Sequence, residues 1–90
     1  MIPKTFKLGS RTWRVKRGVR MRGYGLCSTA KCLIKLSRNN KSPEEELHSF
    51  YHELGHAITG SLGWNKLHDN ELKIDALGNL LAQFMTTRDG

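Results

Sequence analysis

The first 42 residues contain no aspartate or glutamate, although the same segment carries twelve lysines and arginines. Residues 43–90 carry three basic and eight acidic groups, so the net charge of +7 is unevenly divided along the chain. A basic half attracts nucleic acid, acidic proteins or anionic membrane surfaces. The alternative is a solvated sheet face built with Lys and Arg, because charge alone carries no recognition information. Weak nucleic-acid contact through the basic half is therefore kept open.

Cysteine and long hydrophobic runs are also scarce. The chain has two cysteines, and no apolar run is long enough to cross a bilayer. The first residues are charged and lack the apolar core of a signal peptide. These absences predict a cytoplasmic protein without a membrane partner, in which Cys27 and Cys32 are reduced thiols. The length of 90 residues predicts a single domain, 1–90.

The basic region, 1–41, has the alternation and turn residues that are typical of strands. Residues 5–8, 11–17, 26–27 and 32–36 are the predicted strands, and the last two form a hairpin around residues 28–31. Trp13 and Val15 share the predicted buried face of the second strand. We expect an α+β fold, with a small antiparallel sheet of three or four strands packed on two helices.

The second region, 42–90, is predicted to hold those two helices. Ser42 can cap the first, Pro43 suits its first turn, and Glu45 completes a capping box. This helix should span about 43–62 and stop at Gly63. The second should span about 69–86. The apolar residues predicted to face the core are Leu47, Phe50, Tyr51, Leu54, Ala57, Ile58 and Leu62 in the first helix, and Leu72, Ala76, Leu77, Leu80, Leu81 and Phe84 in the second.

An HExxH sequence lies within the first predicted helix, from His52 to His56. Residues four apart lie on one helix face, so both imidazoles can reach one metal ion. Both histidines fall opposite the apolar stripe and should face a cleft, solvent or the second helix. Glu53 lies on an adjoining flank, where it can contact a metal-bound water rather than the metal.

A catalytic zinc site usually has a third protein ligand, and the start of the second helix offers acidic candidates. Glu71 and Asp75 are four residues apart and share a helix face. Glu71 can be the third ligand. Asp75, one turn further on, can accept a hydrogen bond from the outer ring nitrogen of a ligating histidine. The alternative is a pair of exposed acids near a helix N-terminus, which the helix dipole favours.

The combination of HELGH with NELKID resembles the gluzincins, the thermolysin-like zinc peptidases, and also small phage and mobile-element metallopeptidases. The resemblance implies a zinc metalloendopeptidase with one Zn²⁺ per chain, acting on a peptide or protein substrate. It implies His52, His56 and Glu71 as ligands, Glu53 as the general base that activates a metal-bound water, and Asp75 as the supporting carboxylate. The chain departs from large gluzincins in its short gap before Glu71 and its lack of a second lobe.

Several assignments stay open at the level of sequence. His68, Tyr24, Tyr51 and a basic residue from the sheet are candidates to stabilise the transition state, with His68 preferred because it lies near Glu71. His48 is one turn before His52 and is interpreted as a surface histidine. The strand at 32–36 is expected to bind extended peptide by strand addition. A zinc-stabilised binding protein without catalytic activity is the alternative function, and the oligomeric state is undetermined.

Overall fold

A computed structural model describes residues 2–88, and these residues form the expected α+β fold. Four strands are followed by three helices. Their bounds are β1 Thr5–Leu8, β2 Arg11–Val19, β3 Gly25–Ser28, β4 Leu33–Ser37, α1 Pro43–Ser61, α2 Asn65–His68 and α3 Glu71–Thr87. In the part of the chain that the structure describes, no helix has the length and apolar character needed to cross a membrane.

The sheet is mixed rather than antiparallel, so the predicted strand directions were partly wrong. Its order is β1-β2-β4-β3, with β2 and β4 parallel and the other two pairs antiparallel. Alternation of side chains marks a strand but carries no information on its direction. Because β4 pairs on both sides, the expectation that residues 32–36 offer an open edge was also wrong. Within residues 2–88, β1 and β3 are the edge strands.

The core lies between one face of the sheet and α1. Trp13 is 1% exposed and stacks on Phe6, with ring centroids 6.0 Å apart. Ile34 contributes from the central strand β4 and is fully buried. Phe50 and Tyr51 of α1 close the cluster from the other side. The predicted inward face of β2 and much of the predicted apolar stripe of α1 are therefore confirmed.

Helix α1 begins and ends where its sequence signals predict. The Ser42 hydroxyl accepts a hydrogen bond from the Glu45 backbone N–H at 3.1 Å. The Glu45 carboxylate accepts in turn from the Lys41 backbone N–H at 3.4 Å, one residue before the expected capping-box donor. The helix stops before Gly63, which has a left-handed φ of 73° that glycine adopts without strain.

Helix α3 presents only part of the predicted face to the core: Leu77 and Leu81 are half-buried, and Leu81 packs against the core cluster. Leu72, Leu80 and Phe84 are 86%, 65% and 62% exposed, and Ala76 is also exposed. The residues of α3 that are buried are Ile74 and Gly78. The helix is rotated so that Ile74, Gly78 and the acidic residues of its first turns face α1. A short helix, α2, lies between α1 and α3, and Asn70 caps α3 by accepting a hydrogen bond from the Lys73 backbone N–H.

Candidate metal centre

Helix α1 carries His52 and His56 one turn apart, on the side that faces α3. Their ring centroids are 5.1 Å apart, and their side chains are 23% and 12% exposed. The helices approach closely because position 78 has no side chain. A Cβ built on Gly78 would lie 3.0 Å from the backbone N and Cα of His52. Gly78 therefore fixes the distance between the histidine pair and the acidic residues of α3.

Glu71 reaches both histidines from the first turn of α3. Its carboxylate oxygens lie 3.0 and 3.1 Å from Nε2 of His56, and Oε2 lies 3.3 Å from Nε2 of His52. One donor atom from each of the three residues can be chosen so that all lie within 4.8 Å of one another. His52, His56 and Glu71 are therefore close enough to hold a metal ion, as their spacing in the sequence predicted.

The donor set fits a zinc ion in chemistry and in spacing. Two imidazole nitrogens and one carboxylate are a common set of protein ligands for catalytic zinc. Two ligand atoms about 2.05 Å from a tetrahedral ion lie about 3.3 Å from each other. The nitrogen-to-oxygen distances at Glu71, 3.0–3.3 Å, are close to that separation.

Asp75 lies behind the histidine pair, one turn along α3 from Glu71. Its Oδ1 is 3.3 Å from Nδ1 of His52, the ring nitrogen on the far side from the Glu71 contact. The same oxygen is 3.7 Å from Nε2 of His48, whose side chain is 53% exposed. A carboxylate at this position holds His52 in the tautomer that leaves Nε2 free for a metal. His48 lines the cavity and lies beside Asp75.

Glu53 is the one acidic residue of the described chain that is buried. It is 8% exposed, and its side chain lies over Gly25 of β3, where a built Cβ would be 2.9 Å from Glu53 Cγ. Burial is the main cause that raises the pKa of Glu53 to about 7; the charge of Glu71 raises it further, and those of His52 and His68 lower it. A carboxyl group with a pKa near neutrality can both accept and release a proton at physiological pH.

A cavity of about 320 Å³ opens in front of these groups, between the start of β3 and the two helices. Its volume is near the lower end of the range for small-ligand sites. Glu53 and the metal-ligand candidates His52 and Glu71 line one side. The remaining lining residues are Tyr24, Gly25, His48, Ser49 and Asp75. Tyr24 is 55% exposed at its mouth.

The three named candidates for transition-state stabilisation occupy different places, and no lysine or arginine among residues 2–88 lines the cavity. Nδ1 of His68 lies 2.9 Å from the backbone carbonyl of His56, and its ring packs against the His56 ring at 4.9 Å between centroids. His68 therefore supports His56 from outside the cavity lining. Tyr51 is buried in the core. Tyr24 alone of the three lines the cavity.

Sequence reasoning missed two residues that shape the site. Gly25 leaves room for the Glu53 side chain, and Ser49 lines the cavity while donating a 2.7 Å hydrogen bond to Asn40. Ser49 lies three residues before His52, so helix periodicity places it near the histidine face. Gly25 lacks such a signal, because the contact joins residues 28 positions apart that only the tertiary fold brings together.

Comparison with protein-family models, curated proteins and solved structures finds no match for the chain.

Proposed function

We propose that the protein is a zinc-dependent endopeptidase in which Glu53 transfers protons during peptide-bond hydrolysis. One observation carries the proposal: a buried carboxyl group of raised pKa lines the same cavity as His52 and Glu71, two members of the three-residue donor set. Metal ligands alone also occur in purely structural sites, which usually have four protein ligands. Here His52, His56 and Glu71 provide three, which leaves a position for a substrate or water.

Each residue has a defined task in this proposal. His52, His56 and Glu71 hold Zn²⁺, which when bound supplies a Lewis acid that polarises a carbonyl group and lowers the pKa of water. Glu53 accepts a proton from the attacking water and delivers it to the leaving amine nitrogen. Asp75 keeps His52 in its ligating tautomer through the Nδ1 contact of 3.3 Å.

Strand β3 is the proposed binding edge for an extended peptide, in place of the strand at 32–36. The Tyr24 carbonyl accepts a 3.0 Å hydrogen bond from the Ser37 N–H, which fixes the alternation of the β3–β4 ladder. That alternation directs the backbone N–H and C=O groups of Gly25 and Cys27 towards the open edge. A peptide paired there would run beside Glu53, because Gly25 is in contact with its side chain.

Tyr24 is the proposed transition-state stabiliser, because its phenol is at the cavity mouth and can donate a hydrogen bond. His68 is instead assigned to positioning His56 through the backbone contact described above. The proposal places the reaction in the cytoplasm, where the two free cysteines stay reduced.

The metal part of the proposal is tested by elemental mass spectrometry of the untagged protein, before and after chelation and reloading with Zn²⁺. We expect about one zinc per chain, and loss of most of it in Glu71→Gln. Glu44→Gln is the matched control, because this substitution makes the same charge change on the exposed first turn of α1. A folded protein that takes up no zinc after titration contradicts the metal assignment.

The catalytic part is tested with zinc-loaded protein and a library of quenched fluorescent peptides. We expect cleavage by the wild type and by Glu44→Gln, and a loss of at least 100-fold in Glu53→Gln with zinc content unchanged. Full activity in a zinc-loaded Glu53→Gln would show that Glu53 is not the base. Stoichiometric zinc without cleavage of any peptide or protein would favour the alternative, a zinc-stabilised binding protein.

A further inference from the structure

The outer face of the sheet, which points away from the core, is lined by basic side chains. Trp13 of β2 and Ile34 of β4 point towards the core. Strand alternation therefore places the neighbouring Arg14 and Lys16 of β2, and Lys35 of β4, on the other face of the sheet. Lys7 extends the same face onto β1, where Phe6 and Leu8 point inward. We call Lys7, Arg14, Lys16 and Lys35 the basic face. Their neighbours on this side of the sheet are Thr5, Thr12, Leu26, Ser28, Leu33 and Ser37.

Two members of the basic face are placed directly against each other. Lys16 and Lys35 are register partners in the parallel β2–β4 pair, so their Cα atoms lie on adjacent strands about 4.8 Å apart. Two ammonium groups on neighbouring strands repel each other. An anion that lies over Lys16 and Lys35 would offset the repulsion between their ammonium groups.

Within residues 2–88, no acidic side chain forms a salt bridge with Lys16 or Lys35. The first 42 residues, which include the whole sheet, contain no aspartate or glutamate. Among residues 2–88, the salt bridge that involves a lysine or arginine is Arg17 with Glu46, and it lies on the side where α1 packs. The helices that carry the acids contact the opposite face of the sheet through Phe50, Tyr51 and Ala57. The basic face is therefore free to bind an anionic group of another molecule.

We propose that the basic face binds the phosphate backbone of double-stranded DNA without reading its sequence. Side chains two residues apart on a strand are about 6.6 Å apart and those on adjacent strands about 4.8 Å, so the face presents a regular array of cations. A duplex offers phosphates at regular intervals along both strands. The basic face and its neighbours include no aromatic side chain. Single-stranded binding depends on aromatic stacking, and protein interfaces depend on buried aromatic anchors. Single-stranded nucleic acid and a protein partner are therefore less suited to this surface than a duplex.

The test measures binding of the whole protein to a 20-base-pair duplex of arbitrary sequence by fluorescence anisotropy, over a range of salt concentrations. Four phosphate contacts give a slope of log affinity against log salt of about −3.6, which weakens binding about 150-fold between 50 and 200 mM salt. Changing Arg14, Lys16 and Lys35 together to Ala should reduce the slope to about −0.9. The matched control changes Lys41, Lys66 and Lys73 to Ala, which alters the net charge equally away from the sheet and should leave the slope unchanged.

A second variant separates binding from folding. Lys35→Glu puts an opposite charge beside Lys16, so it should raise the midpoint of thermal unfolding while weakening DNA binding at least tenfold. An equal loss of affinity in the triple control, or no binding at 50 mM salt, overturns the proposal. Tighter binding to poly-glutamate or to phosphatidylserine vesicles than to the duplex also overturns it, in favour of an acidic protein or a membrane surface.

Discussion

The carboxylate of Asp75 lies 3.3 Å from Nδ1 of His52, and the other ring nitrogen of that histidine faces Glu71. This contact joins α1 to α3 and sets the orientation of a candidate metal ligand. Asp75→Ala should therefore weaken zinc binding by about 10- to 100-fold while the protein still folds. Competition with a fluorescent zinc chelator measures the change. Asp69→Ala, which removes an exposed carboxylate just before α3, should leave the affinity unchanged. Equal affinities in Asp75→Ala and the wild type would remove Asp75 from the site.

Gly78 supplies a second test of the same helix contact. A Cβ at this position would meet three backbone atoms of α1 at 3.0 Å, and backbone cannot move aside as a flexible side chain can. Gly78→Ala should cost about 1–3 kcal/mol of unfolding free energy and also weaken zinc binding, because α3 must move away with Glu71. Urea denaturation measures the first effect. Asn79→Ala, at an exposed position one residue further on, should be neutral or slightly stabilising. No destabilisation in Gly78→Ala would mean that the helices are not in close contact.

The buried Glu53 carboxyl predicts how the stability of the chelated, metal-free protein depends on pH. Burial raises its pKa from the ordinary value of 4.5 to about 7, so between these values the folded state binds more protons than the unfolded chain. Stability from this group is therefore fully present below pH 4.5 and is lost as the pH rises through 7. The loss is on the order of 3 kcal/mol.

Glu53→Gln isolates that contribution. Its free energy of unfolding should decline less between pH 5 and 8 than that of the wild type, both measured by urea denaturation in the presence of a chelator. Glu44→Gln, which changes an exposed carboxylate on the same helix, should follow the wild-type curve. Parallel curves for Glu53→Gln and the wild type would show that Glu53 is not buried as a titrating group.

Cys27, a half-buried thiol near Glu53, should be almost inert. Burial, followed by the nearby charges of Glu53 and Cys32, raises the pKa of its thiol to about 12. The thiolate is the reactive form, so alkylation of Cys27 at pH 8 should be about a thousandfold slower than in the unfolded chain. Iodoacetamide labelling of Cys32→Ser, followed by mass spectrometry with and without urea, measures the ratio. Rapid labelling of the folded protein would contradict the burial of Cys27.

The parts of this fold that follow from local signals could be predicted from the sequence. Ser42 and Gly63 mark the ends of α1, and the four-residue spacings of the histidines and acids place them on facing helices. The parallel pairing of β2 with β4 could not be predicted, because it arises from the insertion of β4 between β2 and the edge strand β3. The buried face of α3 could have been better predicted. A helix that turns Glu71 and Asp75 towards α1 must also turn Ile74 and Gly78 there, and so exposes Leu72 and Leu80.

That exposed apolar surface has a consequence for how the site assembles. In helix α3, Ile74 and Gly78 are buried and Leu77, Leu81 and Ala82 are half-buried, whereas Leu72, Leu80 and Phe84 are exposed. Its amides should therefore exchange with solvent sooner than those of the central strands. An ion held by His52, His56 and Glu71 would act as a cross-link between two helices, closing a short loop in the manner of a disulfide. Metal uptake and the docking of α3 are then thermodynamically linked: the ion stabilises the docked position of the helix, and the docked helix supplies one of the ligands of the ion.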